Sequence, residues 1–479
     1  MQFINSSLSW LSGQLWGFVL VWVLIGAGIY FTVFSGFLQL RFFGHMWKLL
    51  VTSRTGANGG ISSFQAFATS LAARVGTGNL AGVAVAMTKG GPGALFWMWV
   101  TAFVGMATAY IESSLAQLYK EKHGDGTFRG GPAYYIEKGL GQKWMSNIFA
   151  IFLILSFGLA FNAFQSNSIA GAVSNATGGA LKPWMVGLIL VIIVAPIIFG
   201  GLRSIAKVAE IVVPFMALGY LVLAVIVLFL NIGRVPAAFG EIIASALGFK
   251  QAAWGAAGYG IMVAMQQGVK RGLFSNEAGM GSAPNAAATA TTSPHHPAAQ
   301  GFVQSVGVFI DTIVICSCTG IIIMLSGLLT PGMEVGGIEL TQQALSKSIG
   351  HFGTLFVAIA ICFFAFTSII ANYSYAETNI EYIGGKKAGK SAILGLRVVV
   401  LALVFIGSIS GLNFVVDFAD VSMGLMALIN LIAIIILSPI AFKVFRHYAK
   451  QVKEGVDPHF NKKDFPEFAG RLSDGVWEE

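Results

Sequence analysis

The chain has 479 residues, 56% hydrophobic and only 10% charged, where a soluble domain carries about 25% charged residues. Together with a mean hydropathy of +0.75, this excludes a soluble globular protein and places the chain in lipid. The net charge of +8 invites a nucleic-acid reading, but the distribution of the charges along the chain makes it a topology signal.

In chain order, apolar runs long enough to cross a hydrocarbon core of roughly 30 Å predict eleven spans. They are 15–38, 62–88, 93–118, 146–172, 184–201, 208–231, 238–270, 301–327, 353–374, 391–410 and 414–441. The opening MQFINSSLSW lacks a basic segment and a small-residue cleavage site, so no secretory signal is expected. The second span contains RVGTGN, where Arg74, Gly76, Thr77, Gly78 and Asn79 interrupt an apolar helix. The third carries Glu112, expected in a structural or gating ion pair. In the fourth, Phe161, Gln165 and Ser168 share a helix face with Phe164 adjacent, and a Gln in a membrane helix needs a partner.

The seventh span is too long and too interrupted for a simple helix and contains the glycine-dense AAWGAAGYG at 252–260. The eighth places Asp311 ten residues into its helix, roughly 15 Å deep. Charges at that depth pair or line water, and Asp311 is expected either to contact a cation or to neutralise Arg74. Cys316, Cys318 and Cys362 lie in apolar runs and read as core residues, not as a disulfide or metal framework. The pair His295-His296 has no Glu or Cys at ligand spacing, so no metal site is expected there.

The connections at 39–61, 119–145, 202–207, 271–300 and 375–390 and the tail hold 22 of the 29 Lys and Arg, taking Lys270 with its loop. The opposite side holds five: Lys89, Lys182, Arg234, Lys250 and Lys347. Positive loops stay cytoplasmic, which predicts an N-terminus outside and a C-terminus inside a plasma membrane.

Setting aside the first span leaves two sets of five, 62–231 and 238–441, and five is odd. The second set therefore crosses in the opposite direction, the pattern of an inverted repeat. The predicted organisation is an all-α membrane protein. It has an extra helix and loop at 1–61, a first five-helix repeat at 62–231, a second at 232–441 and a cytosolic tail at 442–479.

Each repeat begins with a glycine-rich interruption, and transporters of this plan bind substrate at such matched breaks. Unwound backbone in lipid must be buried or hold a ligand. The free N–H groups of the half-helix starting near Asn79 suit a carboxylate, and the carbonyls from Ala72 to Val75 suit a small cation. Gly76 and Gly78 allow unusual dihedrals and close approach, and Asn79 is expected to cap the following half-helix. A dinucleotide fingerprint fails: there is no preceding strand, and position 81 is Ala where GxGxxG needs a third glycine. A membrane enzyme fails as well, because no GxSxG, HExxH or clustered carboxylates occur. No cofactor, nucleic acid or obligate protein partner is expected.

The segment GGPGALFWMWVTAFVG (90–105) closely resembles the signature of the alanine or glycine:cation symporter family, and GLFSNEAGMGSAPNAAATA (272–290) is similar to a second family motif. The resemblance covers essentially the whole chain. It implies a leucine-transporter-like five-plus-five fold with one extra N-terminal helix, and uptake of alanine or glycine driven by sodium, with proton coupling as the alternative. In that fold Gly76-Thr77-Gly78-Asn79 matches the break of the first core helix. A sodium site is implied at the carbonyls of Ala72 and Val75 and at Thr367-Ser368. The third core helix brings Phe161, Phe164 and Gln165 over the substrate, and Asp311 stands where the fold has a residue touching a sodium ion. Gly258-Tyr259-Gly260 is the preferred second break, with 272–300 a cytosolic connection that carries a short helix. The alternative break, at SNEAGMGS (275–282), would put Lys270 and Arg271 deep in lipid, which is costly.

Overall fold

The structure is a computed structural model that describes residues 2–54, 60–123, 126–249, 260–330, 333, 337–385 and 390–478. It is almost wholly helical, with one short antiparallel pair of strands, β1 (Glu121–Lys122) and β2 (Phe128–Arg129). The helices are α1 (Ser6–Phe34), α2 (Phe43–Thr52), α3 (Ser63–Arg74), α4 (Val83–Gly90), α5 (Gly93–Leu118), α6 (Pro132–Leu140), α7 (Lys143–Ala176), α8 (Pro183–Phe199) and α9 (Gly201–Leu230). They continue with α10 (Val235–Ala246), α11 (Ile261–Asn276), α12 (Ala283–Ala288), α13 (Pro297–Ser326), α14 (Ile338–Ile349), α15 (His351–Gly384), α16 (Lys390–Ile409) and α17 (Leu412–Lys453).

Among the described residues, eight helices are long and apolar enough to cross a membrane: α1, α5, α7, α9, α13, α15, α16 and α17, counting α17 from Val415. The outward faces of α1, α8, α9 and α16 expose Trp22, Ile192, Phe215, Phe229 and Val398. Large apolar side chains exposed in this number are unfavourable in water and suit lipid. The helices at the centre are instead buried all round. On α5, nearly every residue from Thr101 to Leu118 is buried, because α11, α13, α12, α1 and α10 all pack against it.

The second predicted span is broken where expected. Ser62 and Gln65 form a reciprocal cap that starts α3, in which two otherwise unpaired backbone donors are satisfied. The helix ends at Val75, whose φ and ψ of −76° and 88° leave the helical region. The chain resumes as a wide turn over Gly78–Gly82 and then α4. The predicted dihedral role of the glycines is not what is found, since neither Gly76 nor Gly78 has a positive φ.

The second break is a correction. Residues 238–270 do not form one span: α10 and α11 are separate helices. Gly258 and Tyr259 lie outside the described residues, and Gly260 caps the start of α11, remote from the first break. Helix α11 runs unbroken to Asn276. Glu277 then turns left-handed (φ 59°), and Gly279 and Gly281 take φ of 90° and 84° before α12 begins. The break thus falls within 275–282; most of 272–300 is buried core, and the short helix expected there is α12. The expectation failed because it charged Lys270 and Arg271 the full cost of lipid. Both are buried, and both reach Oδ2 of Asp420, at 2.6 and 2.7 Å.

The two broken helices lie side by side in opposite order, with α11 packed on α4 and α12 on α3. A parallel bridge between Ser62 and Thr291 ties their lower ends. Most of the basic connections meet at this same end. His45 bonds Tyr448 (2.9 Å), Lys120 bonds the Ala290 carbonyl (2.7 Å), Gln65 bonds Glu210 (2.8 Å) and Arg129 pairs with Glu381 (2.6 Å). The tail folds over them, with the Phe460 N–H on the His295 carbonyl (3.0 Å) and the Trp477 indole on the Leu118 carbonyl (3.2 Å).

Candidate functional site

The first break is held by three elements that each widen locally into a π turn: Gly78–Gly82, Ile154–Phe161 in α7 and Phe309–Cys316 in α13. A π turn frees carbonyls and re-aims side chains, and such turns gather at functional sites. The freed Leu80 carbonyl accepts from the Thr341 hydroxyl of α14 (3.0 Å).

Gln165 finds the partner that its burial requires. Its Oε1 accepts the Thr77 N–H at 2.9 Å and the Thr77 hydroxyl at 2.5 Å. Asn79 does not cap the following half-helix. Its Oδ1 accepts the N–H of Gly76 (2.8 Å), closing the break on itself, and its amide donates to Asp311 Oδ1 (2.6 Å) and Ser275 Oγ (3.1 Å). Asp311 Oδ2 accepts from Ser275 (2.8 Å) and Thr312 (2.7 Å), and Cys316 Sγ lies 3.2–3.3 Å from Ser275 and Asn79. The glycines serve close approach. A Cβ on Gly76 would collide with Ser368 Oγ and come within 3.0 Å of the Gln165 amide, and one on Gly78 would come within 3.1 Å of Ser275 Cα. All of these side chains are buried.

Ser368 joins the group from α15, donating to the Ala72 carbonyl at 2.8 Å. Thr367 does not face Ala72. Its hydroxyl bonds the Phe364 carbonyl of its own helix and lies 3.6 Å from Met216 Sδ. The predicted oxygen set is therefore brought together for Ala72 and Ser368, and Thr367 turns away toward α9.

Phe161 stacks on Phe274 of α11 (centroids 4.5 Å, planes 16° apart), and Phe164 meets the same ring edge-on at 5.2 Å. Phe157 extends the stack at 4.5 Å. The Phe274 ring, absent from the sequence reading, thus forms one wall together with the two predicted phenylalanines.

The predicted Arg74–Asp311 pair is not formed. The Arg74 guanidinium donates to the Gln304 carbonyl (3.1 Å), and its Nε and Nη2 have no hydrogen-bond partner among the described residues. Asp311 is occupied by Asn79, Ser275 and Thr312 instead. Nor is Glu112 in a direct ion pair among the described residues. It accepts from the Gly279 N–H (3.2 Å) and the Asn430 amide (3.0 Å), so it holds the second break in place.

Sequence reasoning missed Ser275, Thr312, Cys316 and Phe274. Ser275 stands in the motif SNEAGMGS that was weighed as the alternative break, and accepting that break would have found it. The other three carry no signal of their own.

Two discontinuous helices in opposite order, with hydroxyls, amides and a carboxylate gathered at both breaks inside a bundle of lipid-facing helices, define a multi-pass membrane transporter. The chain belongs to the sodium:alanine symporter family, whose profile matches residues 1–462. It is 49% identical to the amino-acid carrier protein AlsT of Bacillus subtilis, over 100% of this chain and 98% of that protein. It is 40% identical to the sodium/alanine symporter AgcS of Methanococcus maripaludis, over 91% of this chain and 95% of that one. Among solved structures, MhsT in complex with L-phenylalanine superposes with a TM-score of 0.54 at 16% identity, covering 86% of this chain and 92% of that one. That likeness concerns the fold. The chain is a transporter and not an enzyme.

Proposed function

We propose that this chain carries a small neutral amino acid, alanine with glycine as the second substrate, into the cell together with sodium by alternating access. The observation that carries this reading is the junction of the two breaks through Asn79, Ser275 and Asp311. A carboxylate and hydroxyls, here those of Asp311, Ser275 and Thr312, are hard donors a sodium ion takes, and Ala72 with Ser368 supplies a second oxygen group nearby. The backbone N–H groups around Thr77 and Gly78 offer the substrate carboxylate its donors, with Gln165 as the protein group that gives way. The wall of Phe161, Phe164 and Phe274 offers an apolar face to a small side chain.

The architecture proposed is eleven membrane helices, five-plus-five after α1, with the N-terminus outside. Moving Lys270 and Arg271 into the interior leaves 20 basic residues on the tail side against five opposite, still a strong cytoplasmic bias. Concentrative alanine uptake by sealed liposomes under an imposed sodium gradient tests the proposal, and no accumulation overturns it. Proton coupling is the second reading, because Asp311 is a buried carboxylate able to carry a proton. Replacing sodium by potassium at fixed pH separates the two: uptake that persists favours the proton.

A further inference from the structure

Five residues toward the outer end of α11 from Ser275, and four from Phe274, lies a cluster that the transport site does not use. Lys270 Nζ and Arg271 Nη2 share one oxygen of Asp420, on α17, at 2.6 and 2.7 Å. The acidic residue is 1% exposed and the two cations 11% and 2%. Breaking such a buried set by removing one member leaves an uncompensated charge, so the cluster strongly opposes separation of α11 from α17.

Two further observations connect the cluster to the site and to the extra N-terminal helix. The Arg271 guanidinium lies 5.6 Å from the centre of the Phe274 ring, the same ring that stacks on Phe161. From α1, Ser12 accepts from Lys270 Nζ (2.9 Å), Trp16 donates its indole N–H to the Asp420 carbonyl (3.1 Å), and the Lys270 ammonium lies 5.8 Å from the Trp16 ring. Ser9 also bonds Asp417, one turn outward on α17.

We propose that Asp420 is the positioning residue of the outer closure. Through Arg271 it holds Phe274 against Phe161, and α1 serves as the strut that keeps Asp420 and Lys270 in register. The cluster lies between the site and the end of the molecule opposite the tail, so access from that end requires α11 and α17 to part there. This rests on the transport reading of the site, and its test does not need transport to occur.

Cys316 is a reporter already built in, because its thiol is buried and touches Ser275 and Asn79. In a Cys318→Ala, Cys362→Ala background, a membrane-impermeant maleimide is applied to intact cells and the rate of Cys316 labelling is measured. Asp420→Asn and Lys270→Met are each expected to raise that rate about tenfold, the size of a population shift that follows loss of a buried pair. Ser12→Ala raises it less, and Asp420→Glu, which keeps the charge, restores slow labelling. If folded Asp420→Asn protein labels as slowly as the background, the proposal is overturned. Should that variant not fold, the same result with Lys270→Met overturns it. Background protein that labels slowly but takes up no alanine would defeat the transport reading and leave the lock standing; normal uptake with unchanged labelling in the variants would do the reverse.

Discussion

At the scale of single residues, Gln165 and Asp311 satisfy the first break in different ways, and their substitutions are expected to act differently. Gln165 Oε1 takes two donors from Thr77. In Gln165→Ala the Thr77 N–H is left buried and unpaired, a cost of about 1–3 kcal/mol. The substrate carboxylate then no longer has to displace Gln165, so alanine binding, measured by displacement of labelled substrate from detergent-purified protein, should tighten, while the substrate-free protein melts at lower temperature. Asp311→Asn keeps the size of the side chain and one acceptor oxygen for Ser275 and Thr312, but it removes the carboxylate charge that joins the two breaks. It should therefore fold, bind alanine weakly and lose steep sodium dependence, read as uptake against sodium concentration. Full sodium-coupled uptake by Asp311→Asn would remove the cation role. Gly76→Ala tests close approach alone: its methyl would enter the space of Ser368 Oγ and the Gln165 amide, and uptake should be lost with little change in the amount of folded protein.

Individual helices show why the first break was legible in the sequence and the second was misplaced. RVGTGN carries its own signal, since Arg, Gly, Thr and Asn within six residues of an apolar helix have no bland packing explanation. The face Phe161, Phe164, Gln165 was equally readable from helical spacing. For α11 the sequence offered two interruptions, and a correct physical rule selected the wrong one. Charges are costly in lipid, but Lys270 and Arg271 face Asp420, about 150 residues later in the chain, and no local pattern announces that contact. The Arg74–Asp311 pairing failed for the same reason. Depth alone placed two charges near each other, while short hydroxyl and amide neighbours, Ser275, Thr312 and Asn79, had the geometry to reach the carboxylate first. Helix α5 is where packing between elements is tightest, and it packs by glycines on its neighbours. A Cβ on Gly301 would come within 2.8 Å of the Tyr110 carbonyl, and one on Gly268 within 2.5 Å of Trp97 Cβ. Overpacking a dense interior costs about 1–3 kcal/mol, so Gly301→Val and Gly268→Val should each lower the melting temperature of purified protein. Gly395 and Gly44, with open space at the Cβ position, should tolerate the same change.

For the molecule as a whole, the two ends are closed by different chemistry, and this has a kinetic consequence. The outer closure is ionic, built on Asp420. The end that carries the tail adds extensive aromatic packing to the Arg129–Glu381 pair. Trp477 is fully buried, takes the Leu118 carbonyl, packs against His295 (4.8 Å) and lies under the Lys120 ammonium at 4.9 Å. Phe460 stacks on Phe465 at 5.1 Å, and Arg471 donates to the Gly139 carbonyl (2.8 Å). The tail thereby joins the ends of α5, α6 and α17 and the connection entering α13. These are the parts that bear on the lower halves of both broken helices, and they must separate for substrate to leave on that side. Truncating a buried Trp to Ala costs about 3–5 kcal/mol. Part of that loss falls on the closed state alone, because in the open state the tail no longer spans all of these helices. Trp477→Ala should therefore melt at lower temperature and yet exchange labelled alanine faster across liposome membranes, with the sodium requirement unchanged. A variant that is less stable and no faster would mean that the tail braces one helix end without restraining the opening.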